Sequence, residues 1–355
     1  MDPKKLMASL ELIAARPAWR ELFIDHLLQF ERGIGETGLD VRQDVIGPLV
    51  DALYDDDQVV RKELSDGTQL EFLYRSKIAR DFLLSTPARP DHAWEPQTSR
   101  LLVDLAADAR QVLVGGAYFG DHAILLAKQA ARNGGTVHAF EPNSEQRHML
   151  MHNVQLNGLS NIVARPEGLW DDSSTTLKLV GYDSFAHPEV STDSTDSSGF
   201  QTTTMEDYLA AAGVARLDLI MLDIEGAELR ALRGAAAFLA QPAGEAPNIV
   251  FEVHREYVDW TDGLENTPIG RFLRDFGYQL FAIRDFNSNV DMRGKPIELI
   301  PAAEVYLEGP PHGFNMVAVK DAKRFASAPY KICHNVSPKL LRHKDPALHH
   351  PTDGL

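Results

Sequence analysis

The chain predicts an α/β fold: a mainly parallel seven-stranded sheet with an antiparallel last strand, preceded by a mainly helical extension. Three observations carry this prediction. From residue 111, short apolar runs alternate with helical segments, the pattern of a parallel sheet with crossover helices. The first run leads into a Gly-rich turn, Gly115-Gly116-Ala117-Tyr118-Phe119-Gly120, at the carboxyl end of a strand, where open sheets bind ligands. The last two runs are separated by 284–314, rich in Pro, Gly, Asn and Asp. Without a long crossover helix they should pair antiparallel.

Apolar residues recur at helical spacing through 1–60, as in Leu6, Leu10, Ile13 and Ala14 and then Leu22, Ile24, Leu27 and Leu28, which predicts amphipathic helices. Asp66-Gly67, between 62–64 and 69–74, predicts a hairpin because Asp-Gly accepts the positive φ of a tight turn. Pro87, Pro90 and Pro96 interrupt regular structure before a helical stretch at 99–107. The expected organisation is a helical extension with a hairpin over 1–94, a catalytic core over 95–325 and a tail over 326–355. The core strands fall at 111–114, 136–140, 162–164, 217–222, 249–253, 279–283 and 315–319, with a helix over 121–132 that stops before Asn133-Gly134-Gly135. Between the third and fourth strands, 183–204 contains the polar run Ser191 to Gly199. It has too little apolar surface to pack and reads as a mobile surface loop in preference to a lid.

Of the 355 residues, 44% are hydrophobic and 24% charged, which excludes disordered, collagenous and coiled-coil classes. No apolar run approaches about 18 residues, and Met1-Asp2-Pro3-Lys4-Lys5 lacks the apolar stretch of a signal peptide, so a cytoplasmic protein without a membrane span is expected. The single cysteine, Cys333, excludes an intrachain disulfide and a multi-cysteine metal site. A net charge of −16 repels a phosphate backbone, and the basic clusters at 320–324 and 339–344 are modest, so nucleic acid is not expected as a partner.

The glycines of the 115–120 turn let the backbone approach a ligand that meets the free N–H groups of the next helix. Twenty-one residues after Gly120, the second strand ends in Glu141-Pro142-Asn143, and a carboxylate at that tip accepts the hydroxyl hydrogens of a ribose. Turn, spacing and acid predict a nucleoside-containing cofactor, with NAD and S-adenosylmethionine both compatible. No Tyr is followed four residues later by Lys, as a common class of Rossmann dehydrogenase requires. Together with the antiparallel final pair, this favours S-adenosylmethionine.

Four segments, Val137 to Asn143, Asn153 to Leu159, Thr203 to Leu209 and Asp218 to Glu228, resemble in order and spacing successive motifs of the FkbM family of S-adenosylmethionine-dependent methyltransferases. The resemblance covers about 95–320, and Trp94-Glu95-Pro96-Gln97-Thr98 resembles a segment that precedes the core in some members. It implies a class I methyltransferase (Rossmann-like) sheet and O-methylation of small molecules, lipids or glycans. By the same resemblance Gly115, Gly116, Ala117 and Gly120 would line the methionine end, Glu141-Pro142-Asn143 would hold the ribose, and Glu167-Gly168-Leu169-Trp170 would border the adenine. Many members carry Asp where the first strand here ends in Val114, so Asp121 or Glu95 would meet the methionine ammonium. Met221 stands where the fourth strand often carries Lys.

Asp223 and Glu225 fall at the end of the fourth strand, Glu252 and His254 at the end of the fifth. Strand alternation lets each pair share a face, which would converge three carboxylates and an imidazole beside the cofactor. His254 has the ordinary pKa of a general base. Alternatively Asp223, Glu225 and His254 would hold a divalent cation such as Mg²⁺ that polarises the acceptor hydroxyl. A purely structural reading starts the next helix at Glu225 and pairs Glu252 with His254 in the core. His122 and His148 read as packed or solvated helix residues, and Phe286, Trp170 and Trp260 as core or acceptor-pocket aromatics.

The sequence therefore predicts methyl transfer to a hydroxyl of a sugar, glycan or polyketide-like small molecule, with the first 60 residues serving homo-oligomerisation or acceptor capture. An NAD-dependent oxidoreductase and a non-catalytic nucleoside-binding module are the alternatives.

Overall fold

A computed structural model describes residues 3–35, 38–183, 186–191, 199–307 and 313–343. Among the described residues, nine strands form the central sheet: β1 (Gln111–Gly115), β2 (Thr136–Phe140), β3 (Ile162–Arg165), β4 (Leu219–Leu222), β5 (Asn248–Val253), β6 (Gln279–Ile283), β7 (Ile297–Pro301), β8 (Phe314–Val319) and β9 (Tyr330–Ile332). Their spatial order is β9-β7-β6-β8-β5-β4-β1-β2-β3. Strands β1 to β5 run parallel, while β8 lies antiparallel between β5 and β6.

The seven strands read from the sequence are all present, and the last two pair antiparallel as expected. Seven is nevertheless an undercount. Strand β7 lies inside 284–314, where Pro296 and Pro301 enclose a run of four buried residues, and β9 is a three-residue strand within the segment read as tail. Both are too short to stand out from their turn-forming neighbours.

Alternation along the strands divides the core. Val112 and Val114 of β1 face a cluster with Ile124, Leu126 and Ala127 of the following helix, and Leu113 faces the opposite layer with Ile220 and Leu222 of β4. The first cluster also takes in Leu10, Ile24, Phe72 and Phe82, so the N-terminal segment shares its packing with one face of the sheet. That segment begins with α1 (Pro3–Ala14) and α2 (Pro17–Ile34), followed by a hairpin of Val59–Glu63 and Gln69–Leu73 in antiparallel register. After α3 (Lys77–Leu83) and α4 (Pro96–Leu105), the crossover helices α5 (Asp121–Ala131) and α6 (Ser144–Leu156) follow β1 and β2. Asn153 and Asn157 of α6 grip the hairpin edge: each side-chain oxygen accepts from the backbone N–H of Glu71 or Gln69, at 2.8 and 2.9 Å, and each amide donates back to the same residue's carbonyl at 2.7 Å. These are two residues of the second recognised motif.

A four-stranded sheet in the order Gly168–Leu169, Phe200–Thr203, Thr176–Val180, His187–Val190 covers the end of β2. The 183–204 segment is therefore not wholly a loop. Thr202 is buried and its backbone N–H reaches the Thr175 carbonyl at 3.0 Å, because a strand can be polar in composition and still alternate inward. The run 192–198 lies outside the described residues. Among the described residues no helix is long and apolar enough to cross a membrane.

Candidate active site

A cavity of about 480 Å³ opens at the carboxyl ends of β1, β2, β4 and β5. Gly115 and Gly116 form its floor. Gly116 has φ +74°, and a Cβ there would stand 1.8 Å from the Asp223 carbonyl oxygen, so the turn sits against the end of β4 only because the residue is glycine. The Gly116 and Ala117 N–H groups both donate to the Phe140 carbonyl, at 3.0 and 3.1 Å. Gly120 has φ +97° at the start of α5, and its absent Cβ leaves room for Leu150 and Ile124. Its contribution is packing.

Glu141 leaves the tip of β2 and lines the cavity with Pro142 and Asn143. One carboxylate oxygen accepts from the Tyr118 N–H at 2.8 Å and the other from the Asn143 N–H at 2.9 Å. A carboxylate offers about four acceptor positions, so two remain. Burial pushes its pKa up to about 7 against the pull of these two N–H donors. Beyond Glu141, the cavity is lined by Glu167, Gly168, Leu169 and Phe200, with the Phe200 ring packed against Gly168. At the other end Glu95 and Asp121 both reach the lining, whereas Val114 is buried in the sheet. Glu95, at φ +49°, immediately precedes α4. Asp285 takes over the capping of that helix by accepting from the Gln97 and Thr98 N–H groups at 3.0 and 2.7 Å. Glu95 instead accepts from Asn287 and Asn315 at 3.1 and 2.6 Å, and burial, with Asp285 and Asp223 nearby, raises its pKa well above the usual range.

Three expected cofactor residues do not reach this wall. Ala117 and Gly120 are behind it, and Trp170 is buried against Leu177 and Ala227 with the Arg230 guanidinium over its ring. An aromatic beside a binding motif is satisfied as readily by packing. Trp260 is likewise core, its ring tilted against Phe314.

The expected reaction-centre residues Asp223, Glu225, Glu252 and His254 all line the same cavity. Carboxylate oxygens of Asp223, Glu225 and Glu252 lie within 4.8 Å of one another. The cation set read from the sequence is corrected here, since Glu252 occupies the place given to His254. Glu225 does not begin a helix either. It has φ +51°, and α7 (Met205–Ala211) is followed by α8 (Glu228–Arg233), where Glu228 closes the turn by accepting from the Ile224 N–H at 3.0 Å. Glu225 is left to meet the Tyr257 hydroxyl. Gly313 lies against Glu252, where a Cβ would come 1.8 Å from its Oε1. Burial, then mutual repulsion, raises the pKa of Glu225 and Glu252, while burial raises that of Asp223 with Asp121 adding and His122 opposing.

His254 has a defined tautomer. The backbone N–H of Glu256 donates to its Nδ1 at 3.1 Å, so the neutral ring carries its proton on Nε2. Burial also lowers its pKa. The ring is therefore a hydrogen-bond donor at Nε2, and its role as a general base is weakened.

Raised carboxyl pKa values have a thermodynamic sign. Between the ordinary carboxylate range and about pH 7, the folded chain holds protons on Glu141 and Glu228 that the unfolded chain has lost, so stability falls as pH rises through that window. Urea midpoints of the ligand-free protein are expected to decline from pH 5 to pH 7. A constant or rising midpoint would remove the buried-carboxylate account.

The cavity also contains residues that the sequence did not single out for it. His122, read from the sequence as a packed or solvated helix residue, lies in the lining. Tyr118, at φ +46°, donates its hydroxyl to Asp183 at 2.6 Å, and Gln146 reaches the other oxygen of Asp183 at 2.7 Å, closing the cavity from the side sheet. Lys77 and Asn287 come from segments outside every motif.

Parallel β1 to β5 with an antiparallel β8 inserted before β6, and a cavity at the carboxyl ends, define a Rossmann-like sheet of the class I methyltransferase type. Residues 115–280 match the family model of the methyltransferase FkbM domain, the family whose motifs the sequence resembles. No curated protein is similar enough to match. Among solved structures, a methyltransferase FkbM from Methylobacillus flagellatus KT is similar at 19% identity with a TM-score of 0.29, over 41% of this chain and 33% of that one. This chain thus spans about a third of the length of that protein. An O-methyltransferase from Bacillus cereus in complex with SAH has 18% identity and a TM-score of 0.36, over 69% and 90% of the two chains. The O-methyltransferase TomG from Streptomyces achromogenes, solved with SAM, has 15% identity and a TM-score of 0.36, over 69% and 88%.

Proposed function

We propose that the chain transfers a methyl group from S-adenosylmethionine to a hydroxyl of a sugar, glycan or polyketide-like small molecule. One observation carries this reading: a single cavity joins the Gly116 turn and Glu141 to the carboxylates of Asp223, Glu225 and Glu252. The cofactor supplies an activated methyl group on a sulfonium. The two free acceptor positions of Glu141 suit the two hydroxyls of a ribose, the apolar wall of Leu169 and Phe200 suits one face of a flat base, and Glu95 or Asp121 faces a methionine ammonium. Tyr118 and Gln146, through Asp183, exclude water from the ribose side. The His254 Nε2–H orients the acceptor oxygen, and the carboxylate cluster receives its proton. Raised carboxyl pKa values make these groups stronger bases than ordinary carboxylates once they are ionised.

The same convergence supports a second reading, in which Asp223, Glu225 and Glu252 hold a divalent cation that polarises the hydroxyl. Release of S-adenosylhomocysteine from a panel of glycan and macrolide hydroxyl acceptors tests the activity, with and without EDTA. Turnover that survives chelation is the expected result, whereas loss restored by Mg²⁺ or Mn²⁺ selects the cation reading. Silence across acceptors that demonstrably bind would contradict both. Leu12, Trp19, Leu22 and Phe30 on α1 and α2 are exposed, which supports homo-oligomerisation through the N-terminal segment.

A further inference from the structure

A second cavity, of about 250 Å³, adjoins the first and shares Lys77 and Asn287 with it. Its body is apolar, with Phe286, Phe314 and Leu340 in the wall, so Phe286, considered from sequence as a pocket aromatic, lines this cavity. Its charged lining is mainly cationic, with Lys77, Lys339 and Arg342 against the single carboxylate of Asp40, which lies 3.6 Å from His343. This is unusual in a chain of net charge −16. Lys77 is paired with Asp81 at 3.2 Å, and Arg342 is held by Ser288, the Asn289 carbonyl and Glu31.

Lys339 differs from both. It sits on a short strand, Lys339–Leu340, paired in parallel with Asp285–Phe286, and its ammonium makes no hydrogen bond or ion pair among the described residues. Burial lowers its pKa to about 8 even though Glu95 and Glu252 pull the other way. A largely desolvated ammonium that no carboxylate contacts directly is costly unless a bound anion neutralises it. The modest basic cluster 339–344 therefore begins with a lysine at the wall of a cavity next to the reaction centre.

We propose that this second cavity is the acceptor subsite, and that it takes an acceptor with an apolar body and an anionic group, a carboxylate or a phosphate, which Lys339 neutralises with Lys77 beside it. The inference rests on the methyltransferase reading for the word acceptor, but the anion site stands or falls on binding alone. The shared wall of Lys77 and Asn287 places the anion at one end of the molecule and its hydroxyl toward Glu252 and His254. Acceptor choice would then be set by charge as well as by shape.

The test uses the full chain and three probes with one apolar tail, hexyl phosphate, hexanoate and hexanol, titrated by calorimetry with and without S-adenosylhomocysteine. At least one anionic probe should bind about tenfold or more tightly than hexanol, and the order of phosphate and hexanoate identifies the anion. Lys339→Met should remove that preference and Lys339→Arg should keep it. Labelling of the unsubstituted protein by an amine-modifying reagent, read at the Lys339 peptide, gives an answer that needs no variant: the tighter anion should slow it about fivefold or more and hexanol should not. Equal binding of all three probes, an unchanged preference in Lys339→Met, or unprotected Lys339 would overturn the proposal. Binding of S-adenosylhomocysteine in the same samples reports separately on the cofactor reading.

Discussion

Gly116→Ala is expected to weaken S-adenosylhomocysteine binding by about 100-fold, a loss of about 2.8 kcal/mol at 1.4 kcal/mol per tenfold. The new Cβ meets a backbone oxygen, that of Asp223, at 1.8 Å, and backbone cannot rotate aside as a side chain can. Either β1 or the end of β4 must move, and both carry the cavity floor. The φ of +74° adds strain of about 1–2 kcal/mol for a residue with a Cβ. Gly134→Ala is the control, with φ +66° and nothing within 4 Å of its new Cβ. It shares the strain without the clash, so it should lower the melting temperature slightly and leave affinity unchanged. Equal effects of the two substitutions on affinity would mean that the approach of Gly116 to Asp223 does not shape the site.

The second large effect separates the carboxylates from the imidazole. Glu225→Gln and Glu252→Gln, each preserving volume, should lower single-turnover methyl transfer by about 10²–10⁴-fold, the range for loss of a positioned proton acceptor. His254→Ala should cost only about tenfold, because Nδ1 is already occupied by the Glu256 N–H and the ring contributes a donor. In the unsubstituted protein the rate should climb with pH as the cluster ionises, then level off. The reverse ranking, with His254→Ala as the severe variant and the glutamines near normal, would restore the imidazole as the base.

The contrast between what sequence reveals and what it hides follows from how each feature is encoded. Strands β1, β2, β4 and β5 are mostly apolar runs because both of their faces are buried, and Glu141, Asp223 and Glu252 are conspicuous because each is an acid at or near the end of such a run. Strand β7 carries Glu298 in its middle, buried with Arg284 at 2.9 Å and with Lys331 at 2.7 Å. A buried ion pair between distant segments has no local signature. His254 looked like a base because residue type is visible and tautomer is not. The Glu256 N–H that fixes its proton belongs to a turn two residues away. Lys77, Asn287 and Lys339 reach the two cavities only through long-range packing of segments that precede and follow the domain motifs.

The central claim is that Gly116 and Glu141 form the two ends of one nucleoside cradle for S-adenosylmethionine. Calorimetric titration of the full chain with S-adenosylhomocysteine tests it most directly, with NADH as the comparison and Glu141→Ala beside the unsubstituted protein. Micromolar binding of S-adenosylhomocysteine is predicted, with about 2.7 kcal/mol of added fold stability at roughly 100 times the dissociation constant. The Glu141→Ala variant should bind more weakly by about 1.5–3 kcal/mol, the range for hydrogen bonds to a charged group. No heat with S-adenosylhomocysteine alongside clear binding of NADH, or an affinity indifferent to Glu141→Ala, would contradict it.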